Sequence, residues 1–384
     1  NPVRKFLNPP LSPFSKGGIK EISMPIEYKE DWDEAKERYR MWWNGEYFGR
    51  CGLSVYAPKA KLPENLPPSP PNPKDPLDHW TNIDLITARN NYHISRTFYG
   101  GEAFPQWSPG YAGVNSITSF LGCPLTLDYD TGWREPIMTD DDWDIRKYKI
   151  DKRGKWWQHT IKLLERAAVE SAGKSIPCIV AFGGSGDTLA GLRNTEKLLF
   201  DLSDCPEKVI DAEEYLMDMW CDVYDSFYEI VRDSADGGST SWFPLWAPGK
   251  FYPTQNDFSY MISPKMFRDI FLPIIHRQTQ FLDYSVYHVD GIGAFVHVPA
   301  LCELPRLQAL QILPGAGKPS PLHYIDVLRT VQSAGKNLHI SISSSEVETA
   351  LSMLSAKGLF IDTWVSTEAE ARELLKKAEV WSKP

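Results

Sequence analysis

Two periods of apolar and polar residues alternate along this chain, and the switches between them outline its elements. The first helical period covers 31–44, with Asp31 placed to cap it, Glu34 three residues on, and Gly45 to stop it. A short strand follows over 52–57, ended by Pro58. Residues 61–78 are rich in proline and predict an irregular excursion over the surface. A helix is expected over 82–98, and then a loop from Gly100 to Pro105. Residues 106–155 carry no clear period beyond a strand near 125–129 and insertions bearing Trp133 and Trp143. From Trp156 the pattern is regular. A helix over 156–172 leads to a strand over 178–182, and a glycine-rich turn, Gly183 to Gly186, delivers Asp187. Helices over 188–200 and 206–234 precede an extended stretch over 239–246, and Ser263-Pro264 opens another helix. Strands over 285–289, 310–313, 338–341 and 359–361 then alternate with helices near 297–304, 321–334, 345–356 and 367–379.

Repeated strand–helix units call for a parallel sheet, because each right-handed crossover uses a helix. About eight such units close a barrel. The expected fold class is therefore α/β, a (β/α)8 TIM barrel with an irregular N-terminal extension and loop insertions. The domain plan is a poorly structured extension over 1–23, with Met24 as a candidate natural start, and a single barrel domain over 24–384. An open doubly wound sheet is the structural alternative. No G-x-G-x-x-G lies in a strand–helix turn, which weakens a nucleotide-binding version of it.

Composition narrows the function classes. The chain has 384 residues, 42% of them hydrophobic, enough for a large core. Its formal net charge is -9 and there is no basic stripe, which argues against nucleic acid and against an anionic membrane surface as partners. No apolar run approaches the roughly 18 residues of a membrane span. Cys51, Cys123, Cys178, Cys205, Cys221 and Cys302 are scattered without a C-x-x-C pair, as in reduced cytoplasmic proteins. The 14 tryptophans matter more, because several sit beside turn residues. Trp107, Trp133, Trp242 and Trp246, with Tyr252, are candidates for an aromatic, ligand-stacking wall. They serve equally well as seals at the ends of a barrel.

His288 and Asp290 are two apart on a predicted strand, so their side chains share a face. At the C-terminal end of a barrel strand that face is the pocket. The pair can orient an imidazole for proton transfer, hold a metal, or form a structural contact. Asp187, Asp257 and Glu102 follow predicted strands or turns and are candidate acids or bases; exposed loop acids are also common. Arg193 can reach an anionic group of a substrate or form a surface pair. His297 is expected to cap or pack the helix after it.

Three stretches carry a family resemblance. They are Ile262-Ser263-Pro264-Lys265-Met266-Phe267 through Leu272-Pro273, Val286-Tyr287-His288-Val289-Asp290-Gly291, and the closing short strands around Gly335 to Ile340. They resemble the uroporphyrinogen-decarboxylase superfamily, which includes corrinoid-linked methyltransferases. The run from Tyr287 to Gly317, Trp42 to Glu46, and Ser241 to Gly249 are similar to an uncharacterised branch of it. The resemblance spans most of 30–380. It implies methyl transfer from a small methylated substrate to the corrinoid of a separate protein, since no D-x-H-x-x-G run is present. It allows zinc as a bound metal, with His288 and Asp290 as ligands, and a homodimer; no covalent cofactor is implied.

Two departures limit the resemblance. The arginine-rich motif that grips porphyrinogen carboxylates is missing, with only Gly49-Arg50-Cys51-Gly52 near its place. Where related zinc enzymes carry H-x-C and a later cysteine, this chain has Asp290 and then Ser343-Ser344-Ser345. A carbohydrate-active enzyme is the second reading, with paired carboxylates in a tryptophan-lined cleft.

Overall fold

In the computed structural model, which describes residues 26–139 and 142–384, eleven strands can be traced. They are β1 (Gly52–Pro58), β2 (Thr97–Gly101), β3 (Gln106–Trp107), β4 (Leu125–Leu127), β5 (Gly132–Arg134), β6 (Ile176–Pro177), β7 (Phe251–Gln255), β8 (Tyr284–Asp290), β9 (Ala309–Leu313), β10 (Asn337–Ser341) and β11 (Leu359–Trp364). Seven form the central sheet in the order β2-β1-β11-β10-β9-β8-β7. All its pairings are parallel except β1 with β2. The expectations for 1–23 and for Met24 fall outside the described residues.

A closed barrel of eight regular strands was expected, and the sheet is not closed. Beyond β7 the backbone continues as single contacts. The amide of Phe251 donates to Ser239 Oγ, Ile179 donates to the Thr240 carbonyl, and Cys178 donates to the Trp107 carbonyl. Residues 178–182, expected as a strand, form no ladder: the amides of Cys178, Ile179 and Phe182 go to three unrelated partners, the last to the Tyr252 hydroxyl. Pro177 has no N–H to offer, so the β3–β6 ladder stops after two register pairs. The strand expected at 125–129 pairs instead with β5 in a separate antiparallel hairpin. The expected loop at Gly100 is the end of β2, lying against β1.

The sheet has two unlike faces. Leu53, Val55, Tyr287, Val289, Leu310, Ile312, Leu338, Ile340, Leu359 and Ile361 pack with the helices in the largest apolar cluster. Residues of the other parity form the concave face. Its first layer is apolar and aromatic: Phe251, Val286, Ala309 and Phe360 meet the helix Trp32–Trp43. Tyr39 stacks on Phe360 at 5.6 Å, and Trp43 lies 5.3 Å from Phe251 and 5.2 Å from Tyr284. Gly52 leaves the room that the Phe360 ring occupies, since a β-carbon there would collide with it. This plug seals the N-terminal ends of the strands.

One layer further along, the same face turns polar. His288 pairs in register with Gln311, and Gln311 with His339. His339 Nε2 lies 2.6 Å from Asp362, which also accepts the Ser341 hydroxyl at 2.9 Å. Beyond this layer the strands end at an open rim.

Candidate functional site

The rim above β7 and β8 holds a cavity of ≈ 710 Å³, reached by His288, Asp187 and Asp257 and walled by Phe182, Trp242, Tyr252, Trp133 and Tyr111. Strand parity explains the main pair. His288 and Asp290 close β8 on its concave face. Asp257 comes from the turn Asp257–Met261 just after β7, a turn held by the Asn256 side chain, which accepts from the Ser259 amide. Asp187 opens the helix Asp187–Arg193.

Asp257, His288 and Asp290 each place one ligand atom within 4.8 Å of the others. His288 is nearly buried, and its Nδ1 pairs with Gln311 Oε1. An amide oxygen only accepts, so Nδ1 donates and Nε2 faces the two carboxylates. Nε2 lies 3.8 Å from Asp290, too long for a hydrogen bond and short enough for electrostatic attraction. Trp242 meets the imidazole edge-on at 5.1 Å and fixes its plane.

The electrostatics follow from this crowding. Asp257 is exposed and lines the cavity. Its desolvation, with the charges of Asp187 and Asp290, pushes its carboxyl up to about 7 against the pull of His288. Burial raises Asp187 too, although the Phe258 amide at 2.9 Å and Gln255 Nε2 at 3.1 Å stabilise its anion. Burial alone would lower His288; Asp290, Gln311 and Asp257 outweigh it and raise its pKa. Asp187, Asp257 and His288 lie close enough for the charge of each to shift the others.

One imidazole and two carboxylates fit a divalent cation. The pinned Nδ1 supplies the outer hydrogen bond that metal-bound histidines need. No thiolate lies in this set, so it does not resemble a thiol-activating zinc centre. A cation held here would polarise a substrate heteroatom.

Several sequence candidates lie elsewhere. Glu102 is buried under β1 and lines no part of the cavity. Arg50 grips it with two contacts of 2.7 Å, the Leu53 amide donates to it at 2.6 Å, and Arg38 pairs with it. Against the effect of burial, those cations hold its carboxyl down at about 2, so it cannot act as a proton donor near neutral pH. Arg193 is also buried, bound to Asp201 at 2.6 Å and lying 4.4 Å over the Trp143 ring. Trp107 is fully buried with Ile86, Ile94 and Leu163, and Trp246 with Trp32 and Tyr39; neither reaches the cavity. Both are seals, because an indole between two packed layers gains more from burial than a loop can offer. His297 Nε2 donates to the Ser259 carbonyl at 2.9 Å and the ring stacks on Phe267 at 4.3 Å, a packing role.

Sequence reasoning missed three residues here. Gln311 interrupts an otherwise apolar strand, a signal of a polar layer on the concave face. Glu213 lies among Val209, Ala212, Leu216 and Met217 on the buried face of the helix Pro206–Val231. It accepts from Ser185 Oγ at 2.8 Å and from the Gly186 amide at 3.0 Å, bracing the turn that presents Asp187. Burial lifts it to about 7. The third, Arg134, sits in the stretch without a readable period.

No protein-family profile matches the chain, and comparison with curated protein sequences gives no match. Among solved structures the chain is similar to a methyltransferase from Methanosarcina mazei, with a TM-score of 0.60. The alignment covers 90% of this chain and 98% of that one at 10% sequence identity. At that identity the likeness establishes a shared fold, a mixed α/β architecture around a parallel sheet. No described helix is long and apolar enough to cross a membrane.

Proposed function

We propose that this chain is a methyltransferase of the uroporphyrinogen-decarboxylase-like superfamily, built as an imperfect (β/α)8 barrel. It would take a methyl group from a small methylated substrate and pass it to the corrinoid of a separate protein. The observation that carries this reading is the Asp257–His288–Asp290 cluster, set at the C-terminal strand ends of a large aromatic-walled cavity. The shared fold with a solved methyltransferase supports it as analogy.

The chemistry asked of the site is modest. When a methyl group leaves a heteroatom, the heteroatom keeps the bonding electron pair and needs a proton or a cation to take up the charge. Asp257, titrating at about 7, is suited to donate that proton, and His288 with Asp290 keeps it in reach of the same point. Trp242, Tyr252 and Phe182 exclude water from the transferring group.

A paired-carboxylate glycosidase is less well matched. Asp257 and Asp290 share their space with an imidazole, one ligand atom of each lying within 4.8 Å of the others, an arrangement that suits a cation or a shared proton more than two carboxylates flanking a glycosidic bond. The test is formation of methylcob(III)alamin from cob(I)alamin with a panel of methyl ethers and methylamines. Turnover lost in His288→Ala supports the reading. Absence of turnover with every donor, together with cleavage of glycans, would replace it.

A further inference from the structure

We infer that the cavity selects a methylated substrate bearing a carboxylate, and that Arg134 is the residue that binds it. This deepens the reading of the cavity as the methyl-donor site and rests on it. Arg134 closes β5 and lines the cavity from the hairpin, a different element from those carrying the acids. It is half-buried and makes no ion pair with any described carboxylate. Its Nε donates to Ser116 Oγ at 3.1 Å, while its two terminal nitrogens meet no described acceptor.

The guanidinium is nonetheless held in place. Ser116 Oγ donates to the Gly113 carbonyl at 2.7 Å, and Gly113 itself, at φ +81, leaves the space the guanidinium fills. A β-carbon at that position would collide with Nη2. A half-buried cation, fixed by one nitrogen and with no acceptor at its terminal fork among the described residues, is matched to a bidentate oxyanion.

The same cavity is lined by the carboxyls of Asp187 and Asp257, with Asp290 beside His288 behind them, and no described ion pair joins any of these to Arg134. A ligand complementary to both has an anion at one end and, at the other, a heteroatom able to receive a proton. The aromatic side chains Phe182, Trp242, Tyr252 and Trp133 between these elements favour a flat apolar body. A small cation without an acid group satisfies only the carboxyl side and meets Arg134 as a like charge.

Isothermal titration calorimetry with 4-methoxybenzoate and its methyl ester tests this without a corrinoid. The wild-type chain should bind the acid at least roughly tenfold more tightly than the ester. Arg134→Met should remove that preference, weakening the acid by about 10- to 100-fold while leaving the ester unchanged. Arg134→Lys should recover part of it, and His288→Ala should retain it. Equal binding of acid and ester, no binding of either at millimolar concentration, or an unchanged acid affinity in an Arg134→Met protein with a native melting curve would overturn the inference. Transfer from a neutral or cationic donor alone would overturn it too, while leaving the proposed reaction in place.

Discussion

Two carboxylates of this chain have opposite surroundings. Glu102 lies under β1 with Arg50 and Arg38 around it, and its carboxyl is held at about 2. Asp257 stands beyond β7 with other acids and one imidazole, and its carboxyl is pushed up to about 7. Glu102 is fully buried and Asp257 keeps an exposed edge, yet desolvation raises the carboxyl in both. The difference is the neighbours: two guanidiniums outweigh the cost of burial, whereas one imidazole facing several carboxylates does not. The first arrangement is stable and chemically inert. The second leaves a proton mobile near neutral pH, at some cost to the fold, as reactive sites commonly do.

The largest expected effect comes from breaking the inert end. Glu102→Ala leaves the buried Arg50 without its counter-charge and Arg38 with Asp31 alone, and should cost about 3–5 kcal/mol of stability. Chemical denaturation of the purified variant measures this, and a loss below about 1 kcal/mol would contradict the account. Trp246→Ala, in the aromatic plug, should also cost about 3–5 kcal/mol through the cavity it opens. Asp257→Asn should behave in the opposite way, keeping a native melting curve while turnover falls by about 100-fold or more.

Stability against pH sharpens the contrast. Glu102 has a depressed folded pKa, so its contribution is full above its ordinary value of 4.5 and is lost as pH falls toward about 2. Glu213 is raised from 4.5 to about 7, so the folded chain holds a proton there that the unfolded chain has released. Stability from that group therefore declines as pH rises from about 4.5 to about 7. Melting curves of Glu213→Gln across this window should be flatter than those of the native chain. An unchanged slope would mean that Glu213 titrates normally. The smallest effect is expected at Trp133, 57% exposed on the hairpin, where Trp133→Ala should leave stability within about 0.5 kcal/mol and act only on ligand affinity.

Legibility in the sequence followed the same division. From β8 to β11 the short apolar runs and their intervening helices could be placed closely, because each strand is bounded by turn residues and buried against helices on one face. His288 and Asp290 were legible as a pair because strand parity alone puts them on one side. Asp187 and Asp257 could be placed at turns following extended segments. What could not be read was partnership across long separations. Nothing local to Glu102 announces Arg50 and Arg38, so an acid in a glycine loop looked free. Trp107 and Trp246 lie beside turn residues as Trp133 and Trp242 do, and only packing separates the seals from the cavity wall. β2 was hidden because its two terminal glycines suggest a loop, although they are what allows it to lie close against β1: a β-carbon at Gly101 would strike the Leu53 carbonyl. The irregular side of the sheet, where Pro177 ends one ladder, gives no periodic signal at all.

The central claim is that the rim above β7 and β8 is where the reaction occurs. Single-turnover formation of methylcob(III)alamin, compared between His288→Gln and Glu102→Gln at matched folded fractions, tests it most directly. The account predicts transfer slowed by about 100-fold or more in the first and near-native transfer in the second. Native transfer in His288→Gln, with transfer lost in folded Glu102→Gln, would contradict it.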